Sequence, residues 1–490
     1  MTSTLLSKTK YLNGLQCPKY LWILFHEPEK VPDADAATQY RFDQGHLVGE
    51  LAKKLFPGGI DIPDEDFTAN LRQTRELLER RTPLFEAGIR TGRIYARADI
   101  LNPTGKDEWD IIEVKSSTSV KDINIEDVSF QKFCYEQYGL RIRKCFLACI
   151  NNEYVKDGDI DPKQLFHTED ISDRVAEASP GIQERIDSML GIISAKRCPD
   201  IAIGKHCNAP YDCPLQPVCW DFLPESSVFD LYRGGRKSLE LFESGILAIK
   251  DIPDYFELSG IQQIQKECEI SGEPYIDREG IGRFLSTLEY PLYYLDFETF
   301  SPVVPLFDGT RPYQRVPFQF SLHVVEKDKA RPGHYSFLAE GTGDPRPELL
   351  SQLKKVLGRE GSIVVYNQVF EKGVLKELAE AFPDSSDWVD DVSGRIVDLL
   401  IPFRSFHYYH PAQKGSASIK MVLPALTGKG YDEMDINNGE DASLAFLEAT
   451  YGNVADEVRM KIRGDLEKYC GLDTEGMMWI VEHLRQRVKA

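Results

Sequence analysis

No apolar run in this chain approaches the roughly 18 residues that a membrane span requires. The opening stretch MTSTLLSKTKYLNGL also lacks the apolar centre of a signal peptide. A cytoplasmic protein with no membrane partner is the expectation. Positive charge is scarce: 58 Lys and Arg stand against 78 Asp and Glu, a net charge of −20. That balance excludes a passive scaffold that coats nucleic acid through a basic face. It leaves room for an enzyme that acts on nucleic acid, because acidic clusters become locally positive once they hold divalent cations. There is no internal repeat, no low-complexity tract and no Cys-x-x-Cys pair among the ten cysteines. Cysteines in a cytosolic chain are poor disulfide material, so clustered ones read as metal ligands.

What is present is enough chain, 490 residues with 42% hydrophobic content, for two or three domains. Residues 1–222 mix helical and strand patterns and end in a cysteine cluster. Residues 223–289 read as a helical linker, with Gly-Ile turns that faintly resemble helix-hairpin-helix units. From residue 290 to 490 a third pattern begins. LYYLDFETF, VPFQFSLHVVE and GHYSFLAEG form an expected antiparallel meander. They are followed by the helix RPELLSQLKKVLG, the strand SIVVYN and the helix EKGVLKELAEAF, which together predict a mixed α/β sheet.

The strand YPLYYLDFETFS carries Asp296 and Glu298 at i and i+2, on one face of a run that otherwise reads as buried. Two adjacent carboxylates repel and cost several kcal/mol to desolvate unless a cation compensates them. Mg²⁺ or Mn²⁺ suits such a pair, and a two-metal phosphodiester site needs further acids from later elements. Glu371 follows Asn367 where a strand hands over to a helix, Asp398 lies in RIVDLLIPF, and Tyr469 and Asp473 stand at i and i+4 in LEKYCGLDTEG. Asp-x-Glu-Thr, then Asn-x-x-Phe-acid, then Tyr-x-x-x-Asp resembles the DnaQ-like exonuclease family. That resemblance implies an RNase H-like fold and removal of nucleotides from 3′ ends with two metal ions. Asp296, Glu298 and Asp473 would be ligands, and Tyr469 would position water. Glu371 departs from the aspartate usual at that point, which leaves Asp398 as an alternative fourth acid. Ser416, Ser418 and Lys420 in GSASIKMVLPAL, with Asn367, are candidate substrate contacts; a capped helix start explains the serines equally well.

RIYARADIL and WDIIEVKSS present Asp99 on one strand and Glu113 and Lys115 at i and i+2 on the next. The acids can hold Mg²⁺ or Mn²⁺, and the lysine can stabilise charge developing at phosphorus. The pattern resembles the PD-(D/E)XK nuclease superfamily. Glu86 upstream, and Gln131 and Tyr135 on a following helix, narrow the resemblance to its RecB-like branch. His46 follows Gly45 directly, out of that branch's Gly-x-x-x-His pattern, and is a secondary candidate.

HCNAPYDCPLQPVCW sets Cys207, Cys213 and Cys219 six residues apart, and Cys17 lies near the other end of the domain. Four thiolates can hold zinc or a [4Fe–4S] cluster. The wide spacing favours the cluster, as does the resemblance to iron-sulfur RecB-like nucleases, in which such a cluster staples the domain's two ends. Cys198 and His206 are nearby spares. Cys134, Cys145, Cys149, Cys268 and Cys470 read as core.

Together the motifs resemble a prokaryotic family, of largely uncharacterised function, that joins a RecB-like iron-sulfur domain to a DnaQ-like domain. The implied function is a metal-dependent nuclease with two sites, acting on nucleic acid and expected to prefer DNA. Two alternatives stand beside it. One is a single-site exonuclease on DNA or RNA whose RecB-like domain is a clamp; the other is a non-catalytic interaction module.

Overall fold

The computed structural model describes residues 5–63 and 65–489. The first four residues of the opening stretch, Asp64 and Ala490 lie outside that range. The chain is mixed α/β and divides into two compact units. The first comprises residues 1–222 and 302–313, the second residues 223–301 and 314–490. No helix among the described residues is long and apolar enough to cross a membrane.

The first unit is built on a mixed sheet. Its strands are β1 (Leu6–Ser7), β2 (Ile60–Asp61), β3 (Leu84–Thr91), β4 (Ile94–Thr104), β5 (Glu108–Lys115), β6 (Arg141–Ile150) and β7 (Phe166–Asp170). The order is β2-β3-β4-β5-β6-β7, with β1 parallel against β4. The pairs β3/β4, β4/β5 and β6/β7 are antiparallel, while β5/β6 is parallel. A parallel neighbour requires a crossover, and the helix Asp122–Tyr138 supplies it between β5 and β6. That helix stops at Gly139, whose φ of 103° suits a residue without a Cβ. Trp109 and Ile111 pack on the same side as Phe130 and Tyr135 of this helix. Ile112 faces the opposite cluster, with Val48 and Leu51 of the helix Ala36–Lys53. The connection 302–313 groups with this unit: Val303 and Val304 join that second cluster, and Lys156 donates to Asp308 at 2.6 Å.

The second unit holds β9 (Leu292–Phe300), β10 (Val316–Val325), β11 (Gly333–Leu338), β12 (Ser362–Val365) and β13 (Ile396–Asp398), in the order β11-β10-β9-β12-β13. The first three run as an antiparallel meander, and β12 and β13 join in parallel. Strand alternation sorts β9 into two faces. Tyr293, Leu295 and Phe297 pack with Leu349, Leu353, Val374 and Leu378 from the helices Arg346–Val356 and Gln368–Ala381. Asp296 and Glu298 point the other way, toward the face met by the 34-residue helix Asp456–Lys489. Gln319, opposite Glu298 in the ladder, donates to Leu466 O of that helix at 3.0 Å. Residues 223–289 are part of this unit: β8 (Tyr275–Ile276) pairs with β14 (Tyr408–Tyr409), and Cys268 packs on Phe406 and Tyr409.

The β3/β4 pairing of the first sheet is interrupted at Glu86. The β3/β4 ladder runs from Phe85↔Ile100 to Ala87↔Ala98 and skips Glu86, whose φ is +55°. The Tyr135 hydroxyl fills the gap: it donates to Ala87 O and accepts the Ala98 N–H at 2.9 Å. Tyr135 is fully buried, so Phe in its place strands two buried backbone groups. Tyr135→Phe should destabilise the first unit by ~1–3 kcal/mol. Amide exchange of the β3 and β4 strands checks this, and unchanged protection there would sink the assignment.

Candidate functional sites

In the first unit, Glu113 is fully buried and both its oxygens are taken. Oε1 accepts from Lys115 at 2.6 Å and from Lys8 at 2.8 Å; Oε2 accepts from Gln131 at 2.7 Å. Asp99 Oδ2 accepts the Val114 N–H at 2.8 Å, while Lys8 lies 3.6 Å from its Oδ1. Burial and the neighbouring Asp99 push the Glu113 carboxyl up, but the Lys115 and Lys8 ammoniums outweigh them and hold it below its ordinary value. Glu86 sits beside Arg97 at 2.8 Å, yet burial and then Asp99 push it up to about 7.

The sequence reading missed two members of this group. Asp127 accepts from Lys115 at 2.9 Å and from Gln131 at 2.9 Å. It was within reach, since Asp127, Gln131 and Tyr135 recur every four residues on one helical stripe. Lys8 was not, because 105 residues separate it from Glu113. Tyr135, expected at the reacting centre, instead bonds the backbone of β3 and β4. A cleft of about 810 Å³ opens onto Asp99, Glu113 and Glu86. Lys8, Arg41, Lys53, Arg97 and Lys115 also face it, and so does His46.

In the second unit, donor atoms of Asp296, Glu298 and Cys470 all lie within 4.8 Å of one another. Cys470, expected to be plain core, points its thiol at Asp296 Oδ2 across 3.7 Å. Asp473 follows Tyr469 by one helical turn. Its Oδ1 accepts from Tyr431 at 2.5 Å and lies 3.3 Å from Lys420 Nζ. Lys420 also donates to the Tyr469 oxygen at 2.8 Å. It was expected on substrate and instead turns inward. Tyr431 carried no signal in the sequence, since no spacing ties a lone tyrosine in a loop to a helix 42 residues away.

Glu371 is 1% exposed, and its Oε2 has no hydrogen-bond partner. Burial, then Asp296, push it up to about 9. Burial raises Asp296, Glu298 and Asp473 as well. Asp473 adds to it at Asp296, and Asp296, Asp473 and Glu371 add to it at Glu298. These acids therefore feel one another.

The remaining candidates make contacts within the chain. Asp398 Oδ1 accepts the Asn367 and Leu400 N–H groups, both at 3.0 Å, and so holds the turn in which Asn367 adopts φ +87°. Ser418 caps the helix Ile419–Thr427, and Ser416 Oγ accepts the Ser418 N–H at 3.2 Å.

Cys17, Cys207, Cys213 and Cys219 line one small cavity of about 10 Å³, with His206 beside them. Gln16 ties the two ends of the unit together there, donating to His206 O at 2.9 Å and Tyr211 O at 2.7 Å. No three of the four sulfurs lie mutually within 4.8 Å, so they do not form a tight knot. Cys198 is exposed.

The acid cluster of the second unit has a pH signature. An acid raised in the fold stays protonated where the unfolded chain has already ionised. Stability is then lost as pH rises between the two values, by ~1.4 kcal/mol per pH unit for each proton held. In a chelator, thermal stability should fall across the interval from about pH 5 to about pH 9. Glu371→Gln should flatten that slope by one proton's share; equal slopes in both proteins would contradict it.

A family model described as a domain of unknown function (DUF2779) matches residues 293–418. The match takes in Asp296, Glu298, Glu371 and Asp398 and ends before Lys420. The uncharacterized protein MG366 of Mycoplasma genitalium is 24% identical over 220 residues, 40% of this chain and 32% of that protein. The MG366 homolog of Mycoplasma pneumoniae is 27% identical over 211 residues, 38% of this chain and 31% of that protein. The chain thus spans about a third of the length of these curated relatives.

Proposed function

We propose that this chain is a metal-dependent nuclease acting on DNA, with a DnaQ-like 3′–5′ exonuclease site in the second unit and a PD-(D/E)XK, RecB-like site in the first. The observation that carries the reading is the mutual influence of half-buried Asp296 and buried Glu298, Glu371 and Asp473, with one Glu371 oxygen left unpartnered. A fold does not hold four such acids together for stability, because like charges taken out of water repel strongly. Divalent cations repay that cost, and when bound they activate water and stabilise charge on the phosphate.

The chain's own residues then divide the work. Asp296, Glu298, Glu371 and Asp473 supply oxygen ligands suited to Mg²⁺ or Mn²⁺. The Tyr469 hydroxyl orients the attacking water. That water adds to phosphorus, the bond to the 3′ oxygen of the preceding nucleotide breaks, and the leaving oxygen takes a proton. The products are a nucleoside 5′-monophosphate and a shortened strand. In the first unit, the cations facing the cleft suit a phosphate backbone even though the whole chain is acidic.

A second reading has a specific observation in its favour. Both Glu113 oxygens are committed to Lys8, Lys115 and Gln131, an arrangement in which the first unit grips nucleic acid without cutting it. End-labelled single-stranded DNA, duplex DNA and RNA, with Mg²⁺ or Mn²⁺, separate the two readings. Asp296→Ala should lower 3′-end trimming by about 100-fold or more, the scale seen when one charge-stabilising group is lost. Asp99→Ala should remove a different set of products if the first unit cuts, and none if it is a clamp. Trimming that survives Asp296→Ala would refute the exonuclease site.

We propose that the four cysteines hold a [4Fe–4S] cluster rather than zinc. Tetrahedral zinc with Zn–S bonds near 2.3 Å would draw the sulfurs to ~3.8 Å apart, closer than any three of them lie here. Protein purified without oxygen should contain iron and acid-labile sulfide in equal amounts, and Cys213→Ser should lose both. Zinc without sulfide in the purified protein would rule the cluster out.

A further inference from the structure

We propose that Lys420 serves as the second cation of the exonuclease site, so that the site takes a single divalent ion, held by Asp296, Glu298 and Glu371. The inference rests on the nuclease reading above and narrows it, taking Asp473 from the metal ligands and pairing it with Lys420.

The acids of this site differ in how far each is already paired. Asp296 and Glu298 converge with Cys470 within 4.8 Å, and neither Asp473 nor Glu371 is in that group. The buried, unpartnered Oε2 of Glu371 belongs to a carboxyl within electrostatic reach of both Asp296 and Glu298. It is an acceptor waiting for a donor or a cation. Asp473, by contrast, is already paired. Asp473 Oδ1 has Lys420 Nζ at 3.3 Å and the Tyr431 hydroxyl at 2.5 Å.

The ammonium is caged as well as paired. Lys420 Nζ stands 3.6 Å from the centre of the Tyr431 ring and 4.1 Å from that of Tyr469, within cation–π range of each. It also donates to the Tyr469 oxygen at 2.8 Å. A divalent ion at Asp473 would have to displace a charge held by a carboxylate, a phenol oxygen and two aromatic faces. Lys420 is anchored from its own side too, because its backbone N–H donates to the Ser418 cap at 3.4 Å.

An ammonium has donors and no acceptor. Its contact with the Tyr469 oxygen therefore fixes which side of that hydroxyl is occupied, with or without metal. A permanent charge at this locus makes the metal dependence of the site first order rather than cooperative.

The test counts Mn²⁺ bound to the full-length chain without nucleic acid, by electron paramagnetic resonance of the free ion. An Asp99→Ala background removes the contribution of the first unit. Adding Asp296→Ala should remove a single ion per chain, and adding Lys420→Met should add one. Lys420→Arg, which keeps the charge, should leave the count as in the parent and guards against a misfolded Met variant. Loss of two ions with Asp296→Ala, an unchanged count with Lys420→Met, or a gain with Lys420→Arg would each overturn the proposal. If Asp296→Ala removes no ion at all, the metal-site reading itself fails, and this inference falls with it.

Discussion

Negative charge held away from water is the constraint to which the rest of this protein answers. Each unit gathers several carboxylates on the interior side of a sheet, and each must compensate them. The first unit does so from within the chain. Two lysines and a glutamine surround Glu113, and Asp127 balances one of those lysines. The second unit gathers four acids around a much thinner supply of positive charge, with Lys420 at one side of the group. The contrast separates a group whose central acid is paired within the chain from one whose acids have fewer cationic partners.

The folds serve this constraint through strand alternation. On β9 the odd positions bind the sheet to two helices, which frees the even positions to carry Asp296 and Glu298. The same long helix then closes over them and brings Tyr469, Cys470 and Asp473 in a single turn and a half. In the first sheet, regular pairing would have placed Glu86 opposite Asp99. The Tyr135 hydroxyl that fills the gap keeps the strands joined while Glu86 departs from the ladder. Tyr135 is thus a positioning residue for two acids it does not touch.

Much of this architecture was legible in the sequence, because periodicity reports which side of an element faces the core. The meander, the two helices after it, and the shared face of Asp296 and Glu298 all follow from alternation and capping signals. The Asp127, Gln131 and Tyr135 stripe was equally readable from helical spacing. What periodicity does not report is the partner across the gap. Ser418 caps a helix and Ser416 accepts the N–H of that cap, both local contacts, whereas Asp398 holds a turn through Leu400 and through Asn367, 31 residues away.

The sequence by itself determined the two acidic motifs, the strands that bear them and the division of cysteines into a dispersed buried set and a terminal group. Those features depend on neighbours within a few residues, where local geometry dictates direction. Only the tertiary structure decided that Lys8 reaches Glu113, that Lys420 turns onto Tyr469 and Asp473, and that Tyr431 joins them. Those contacts span from 42 to 105 residues, and long, flexible lysine side chains point wherever the folded charge distribution draws them.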